Sequence, residues 1–328
     1  MRSRWQIGRI ALMHTALTKL RHYWSLILGL AILVVAASLA PWPKVALYLA
    51  RLSPLALALL LVGSWIYYLG RIVRYWLMLR LLGRPLRFSK VAIACLVAQP
   101  VAVLPGGELY RGAMLKRYGN VSLIHGAPSV FAQSVTEGLG LLLVALAGVL
   151  VLHRYTLTVS VLGTVFVVIL LFIRWQNDRS SHRWLNKLPW VNVSFSKLQS
   201  YLSKNRLLLT GSNFWRLLGA SLISTLGGVG IVYVAAHSLG AVLSPLQAGI
   251  AYAVPAVLEI VSFLPGGLGV NEGSSVSILA LFGLGVPTAV AVTLVVRLFT
   301  LGLGFVYGFL ALGWAHIRHY HRYDVIEA

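Results

Sequence analysis

Apolar residues in this chain gather into long runs, and basic residues collect in short clusters between them. "YWSLILGLAILVVAASLA" from Tyr23 and "TLTVSVLGTVFVVILLFIRW" from Thr156 approach or reach the roughly 20 residues a helix needs to cross a bilayer. Further runs from about Ser53, over Ile124–Leu152, Phe214–Leu239 and Pro287–Ile317 bring the predicted crossings to about six. Ser38-Leu39-Ala40 resembles a signal-peptide cleavage site, but the basic leader is long and Pro41 follows, so the first run is read as a retained helix. Two more apolar stretches are interrupted in the same way. "VLPGGELYRGAML" (Val103–Leu115) and "FLPGGLGVNEG" (Phe263–Gly273) each set Pro-Gly-Gly ahead of a carboxylate. Proline and glycine break a helix, and the backbone groups set free at membrane depth are tolerated only against protein or a polar cavity. The breaks therefore predict an internal cavity.

Composition and charge sharpen this. Hydrophobic residues are 59% and charged residues 11%, with a mean hydropathy of +0.83, whereas soluble domains are about 25% charged. Lys and Arg number 28 against 7 Asp and Glu, which raises nucleic-acid binding as a function. The basic residues flank apolar runs instead of covering one soluble face, so they mark cytoplasmic loops and no nucleic-acid partner is expected. Arg2, Arg4, Arg9, Lys19 and Arg21 place the N-terminus in the cytoplasm. The cluster Arg71, Arg74, Arg80, Arg84, Arg87 and Lys90 ends the second helix on the same side, as does the basic loop before Arg216. Lys116 and Arg117 follow the first break at once, and a full crossing there strands them outside. The first interrupted stretch is thus a re-entrant hairpin on the cytoplasmic face, and the second, after the uncharged "GAVLSP" from Gly240, enters from the outside.

The expected fold is an all-α integral membrane protein of about six full transmembrane helices plus two re-entrant broken hairpins in an inverted-topology repeat. Residues 1–22 form a basic cytoplasmic N-terminus and 23–153 the first repeat, with its hairpin near 91–115. Residues 155–316 form the second repeat, with a cytoplasmic basic loop at 176–212 and a hairpin near 244–284, and 317–328 a cytoplasmic tail. The copies register on Leu104 and Leu264, an offset of 160 residues that also sets Gln99 on Glu259 and Glu137 on Arg297. The location is the cell (inner) membrane. Oligomeric state is not legible.

Four of the seven acidic residues, Glu108, Glu137, Glu259 and Glu272, fall inside apolar segments, where a carboxylate is costly unless paired, protonated or hydrated. Glu108 and Glu272 are read as substrate-binding groups. Glu259 is read as either functional or structural, and Glu137 as a structural or coupling ion pair with Arg297. Gly106, Gly107, Gly266 and Gly267 admit two readings: close helix packing, or amides exposed at a positive helix end that favours a lipid phosphate. Arg111 would join them in receiving that anion. The tail "HIRHYH" reads as a solvated segment and not a metal site, and no cofactor or catalytic motif is found. Trp24, Trp42, Trp175, Trp215 and Trp314 lie near predicted helix ends as an interfacial belt. Lone Cys95 excludes an internal disulfide.

"PGGLGVNEGSSVSILALFGLGVPTAVAVTLVVRLFTL" resembles the C-terminal signature of the flippase-like membrane domain of lysylphosphatidylglycerol synthases, and "LPGGELYRGAML" with "FAQSVTEGLGLLL" its N-terminal one. The resemblance runs from about Trp24 to Trp314 and puts family positions on Glu272, Arg297, Arg111 and Glu137. Asn271 and Gln133 depart from it, where many relatives carry Arg and Glu. It implies movement of a lipid between leaflets: a phospholipid, an aminoacyl-phospholipid or a polyprenyl-phosphate-linked sugar. It also implies membrane lipids, chiefly anionic, as partners, and a glycosyltransferase or aminoacyltransferase as a further one. Full-length synthases carry a soluble transfer domain after the membrane part, whereas here a short tail follows Trp314. Lysine transfer by this chain alone is therefore not expected, and the competing reading is a membrane enzyme or enzyme subunit acting on a lipid-linked substrate.

Overall fold

A computed structural model describes residues 47, 50, 52–102, 107–121, 123–152, 195–262, 267 and 269–317. The helices expected from Tyr23 and from Thr156, the first part of the basic loop, and the C-terminal tail lie outside the described residues. Ser53 opens the first long helix, its Oγ accepting the Ala56 amide at 3.2 Å, with Pro54 in the first turn. This helix, α1 (Pro54–Leu81), has 28 residues and is about 42 Å long at 1.5 Å per residue. It stops at Gly83, whose φ of 71° suits glycine, and the Arg84 amide returns to the Leu79 carbonyl at 2.9 Å.

The remaining elements follow in order: α2 (Phe88–Val97), the single turn α3 (Gln99–Ala102), α4 (Gly107–Gly119), α5 (Leu123–Leu152), α6 (Phe195–Leu208) and α7 (Gly211–Ser238). Then come α8 (Pro245–Ser262), α9 (Val270–Leu281), α10 (Val286–Arg297), a π-helical turn (Leu298–Gly302) and α11 (Leu303–Ile317). Among the described residues, four helices are long and apolar enough to cross a membrane, within 54–81, 131–148, 211–238 and 286–317. The pairing of α1 with α7 forms the central seam. A Cβ on Gly70 would lie 2.5 Å from the Ser224 amide nitrogen, and one on Gly227 2.6 Å from that of Tyr67. Small residues let the two backbones meet.

Burial is inverted relative to a soluble protein. Arg74 is fully enclosed and Arg111 nearly so, while Leu55, Trp65, Leu226 and Leu310 are turned outward. That distribution suits a surface solvated by hydrocarbon.

The two ends of the bundle differ in charge. At one end Phe88 packs edge-on against Trp76 and Gly119 approaches Leu86, so α2 and α4 begin and finish together. Arg80, Arg84, Lys90, Lys116, Arg117 and Arg216 belong to this end. At the other end Leu243, before α8, clusters with Leu284, after α9, and with Leu239 and Leu52. Residues 52–70, 138–152, 217–258 and 273–296 contain no Lys, Arg, Asp or Glu. The two interrupted helix pairs thus open to opposite ends. Within the segment 176–212 expected to be a loop, residues 195–208 form α6, which packs on α5: Tyr201 meets Phe131, and Leu208 is buried with Met78 and Leu217. Its apolar side chains found a surface on the bundle, which a loop reading does not provide.

Candidate functional site

The second break builds one half of a polar belt. Gly269, with φ of 84°, caps α9, and its amide donates to Glu272 Oε2 at 2.7 Å. The carboxylate's other oxygen, Oε1, accepts Arg297 Nε at 2.5 Å. Arg297 Nη1 also lies 3.4 Å from Glu259 Oε2, to which Asn271 Nδ2 donates at 2.6 Å. Gly267 needs to be glycine twice over: its φ is 63°, and a Cβ would stand 2.3 Å from Glu259 Cγ. The positive end of α9 is occupied by the chain's own Glu272, which takes the place of the external anion expected there.

The first half is centred on α1. Arg74 donates from Nη2 to Glu137 Oε2 and from Nη1 to Ser221 Oγ, both at 2.8 Å, tying α1 to α5 and α7. Arg71, one turn earlier, stands 3.4 Å from Glu137 Oε1 and donates from Nη1 to the Tyr67 hydroxyl at 2.9 Å. Beside them Arg111 on α4 is enclosed by amides and a ring, donating to Gln133 Oε1 at 2.7 Å and Gln99 Oε1 at 3.3 Å, with its guanidinium 5.3 Å from the centre of the Tyr75 ring. Glu137 is 14 residues into α5 and 15 from its end, which places it about 20 Å from either terminus.

This geometry corrects two expectations. Glu137 does not pair with Arg297: Glu137 belongs to Arg71 and Arg74, and Arg297 to Glu259 and Glu272. Arg71 and Arg74, assigned from sequence to the cytoplasmic cluster, are interior because α1 continues to Leu81. Their i, i+3 spacing within a long apolar helix was the available signal. Ser221 carried none, while Gln99 was marked only by the 160-residue offset, and Gln133 and Asn271 only as departures from the family pattern. Of the other expected site residues, Gly106 and Gly266 lie outside the described residues, as does the side chain of Glu108. Gly107 begins α4.

The two breaks are bridged alike. Across the first, Arg111 reaches back to Gln99, and across the second, Asn271 reaches back to Glu259, each pair 12 residues apart. The members correspond at the 160-residue offset. The π turn begins directly after Arg297, and Tyr68 donates its hydroxyl to the Thr300 carbonyl there. A π turn displaces carbonyls from the α-helical ladder, so an outside donor is expected.

Ion pairs largely withdrawn from the surface, inside a bundle with an apolar exterior, define an integral membrane protein with a polar interior. The chain belongs to the lysylphosphatidylglycerol synthase TM region family, whose profile matches residues 24–308. No curated protein matches it.

Proposed function

We propose that this protein moves a lipid with a polar head group from one membrane leaflet to the other. The observation that carries the reading is a set of paired charges inside an apolar bundle, held by residues on both interrupted helix pairs. An uncompensated charge in hydrocarbon costs on the order of tens of kcal/mol by continuum estimate, so a head group crosses only where polar groups replace its water. Arg111, Glu259 and Glu272, with Gly106, Gly107, Glu108, Gly266 and Gly267 at the breaks, would line its route, while the acyl chains remain in lipid. In this reading six helices cross, the two interrupted pairs are re-entrant, and the halves are inverted repeats whose rocking alternates access. The basic end faces the cytoplasm of a cell membrane, following the positive-inside rule. The lipid is a phospholipid, an aminoacyl-phospholipid or a polyprenyl-phosphate-linked lipid, and the chain transports it without changing it.

Reconstitution with a head-group-labelled phospholipid tests this. Label reaching the far leaflet with its mass unchanged supports transport, and Glu272→Gln with Arg111→Gln should abolish it. A changed lipid mass points instead to an enzyme. Movement no faster than in protein-free vesicles, with no mass change, sinks both.

A further inference from the structure

One side of α1 carries a stripe that the bundle leaves uncovered. Val62, Ile66, Leu69, Val73, Trp76 and Arg80 follow one another at three- and four-residue steps, so they share one face of the helix. Val62, Ile66, Leu69 and Arg80 are exposed and Val73 and Trp76 half-buried, whereas Leu60, Tyr68, Arg74 and Met78 are turned inward. At about 42 Å, α1 exceeds the roughly 30 Å hydrocarbon core by about 12 Å. Its last turn, with Arg80, therefore reaches head-group level, while the apolar stripe runs back through hydrocarbon.

Arg80 is held in place without being neutralised. Its guanidinium lies over the Trp76 ring, 4.6 Å from the centroid. That ring is itself fixed, since Nε1–H donates to the Leu86 carbonyl at 3.1 Å and Phe88 meets it edge-on with the ring centres 6.0 Å apart. The helix end does not use the guanidinium, because the carbonyls of Met78, Leu79 and Arg80 are taken by the amides of Leu82, Arg84 and Gly83. Among the described residues the carboxylates pair with Arg71, Arg74 and Arg297, and none with the exposed cations Arg80, Arg84 or Arg87. A guanidinium with one face on an aromatic ring keeps the N–H donors along its edge open to an anion.

We propose that this stripe is a binding site for an anionic phospholipid of the leaflet at the basic end. Arg80 donates to the phosphate oxygens, Arg84 and Arg87 add positive charge around the head group, and the acyl chains lie along Val73, Leu69 and Ile66. Half of the hydrocarbon core is about 15 Å, or about 10 residues of helix, which takes the chains from Trp76 to Ile66. The cations select an anionic lipid, since a zwitterionic one brings its own ammonium group against them. The site is on the outer face of α1, apart from the polar interior, and it stands independently of the transport reading.

Native mass spectrometry of the full chain in detergent micelles, titrated with phosphatidylglycerol as the probe and separately with phosphatidylcholine, tests this. Phosphatidylglycerol should bind more tightly. Arg80→Gln should weaken it about tenfold or more, Arg80→Lys by less, and Trp76→Leu several-fold, because the charge stays but its platform is gone. Phosphatidylcholine uptake should be the same in all of them. Arg216→Gln removes an exposed cation of the same end, on α7, and should leave binding unchanged. Equal affinity of the original chain and Arg80→Gln for phosphatidylglycerol overturns the site. An equal loss in Arg216→Gln also overturns it, by reducing the effect to diffuse charge. Displacement of the lipid by inorganic phosphate makes a free anion the occupant and overturns the assignment to a lipid. Since binding is read without transport, a chain that binds through Arg80 yet moves no lipid upholds the site and refutes translocation alone.

Discussion

Arg74, Glu137 and Ser221 join three helices through a single guanidinium. Removing one member of an enclosed pair strands the other, at about 3 to 5 kcal/mol, so Arg74→Gln should lower stability by about that amount. Ser221→Ala removes one hydrogen bond to a charged group and should cost about 1.5 to 3 kcal/mol. Denaturant unfolding in detergent measures both. In a double-mutant cycle, Arg74→Gln with Glu137→Gln should lose less than the sum of the two, and strict additivity would mean that the contact contributes nothing. Sequence marked Glu137 as costly and as one member of a structural or coupling ion pair, but gave it Arg297 as partner instead of Arg71 and Arg74. The offset that sets Glu137 on Arg297 reports equivalent positions in two copies, and equivalent positions need not touch.

Glycine decides how the elements meet. At Gly70 and Gly227 a Cβ would collide with backbone of the facing helix, whereas nothing lies within 4 Å of a Cβ on Gly138 or Gly230. Gly70→Ala and Gly227→Ala should therefore destabilise by about 1 to 3 kcal/mol through overpacking. Gly138→Ala and Gly230→Ala should be neutral or gain up to about 1 kcal/mol from helix propensity. Thermal unfolding of the four variants separates these cases, and equal effects would contradict the close α1–α7 seam. The interruptions were legible as Pro-Gly-Gly, because those residues act locally. The π turn after Arg297 was not, since no residue type in "LFTLG" demands it and its carbonyl partner is Tyr68 on α1, 232 positions away.

For the whole molecule, the charge difference between the two ends predicts orientation. Lys116 and Gly285 are both exposed, at the basic and the uncharged end respectively. With buried Cys95 first replaced, a cysteine at 285 should react with an impermeant reagent added outside intact cells, and one at 116 should be shielded until the membrane is opened. Labelling at 116 from outside would reject the inverted arrangement, because the first interrupted pair would then be a full crossing.

What the amino-acid order determined unaided is what depends on neighbours along the chain and on the solvent. Apolar runs of sufficient length made the protein a membrane protein, Pro-Gly-Gly marked the two places between described helices where the chain is interrupted, and the basic clusters among the described residues fell at one end. Tertiary structure alone decided which charges pair. A guanidinium at mid-depth must find a carboxylate or stay hydrated, and several were available. The seam at Gly70 and Gly227 set α1 against α7 so that Arg74 reached Ser221 and Glu137. Arg297, on a separate helix, was left to bind the two carboxylates that flank the second break. Such choices turn on distances of a few ångströms between segments far apart in sequence, and no local pattern records them.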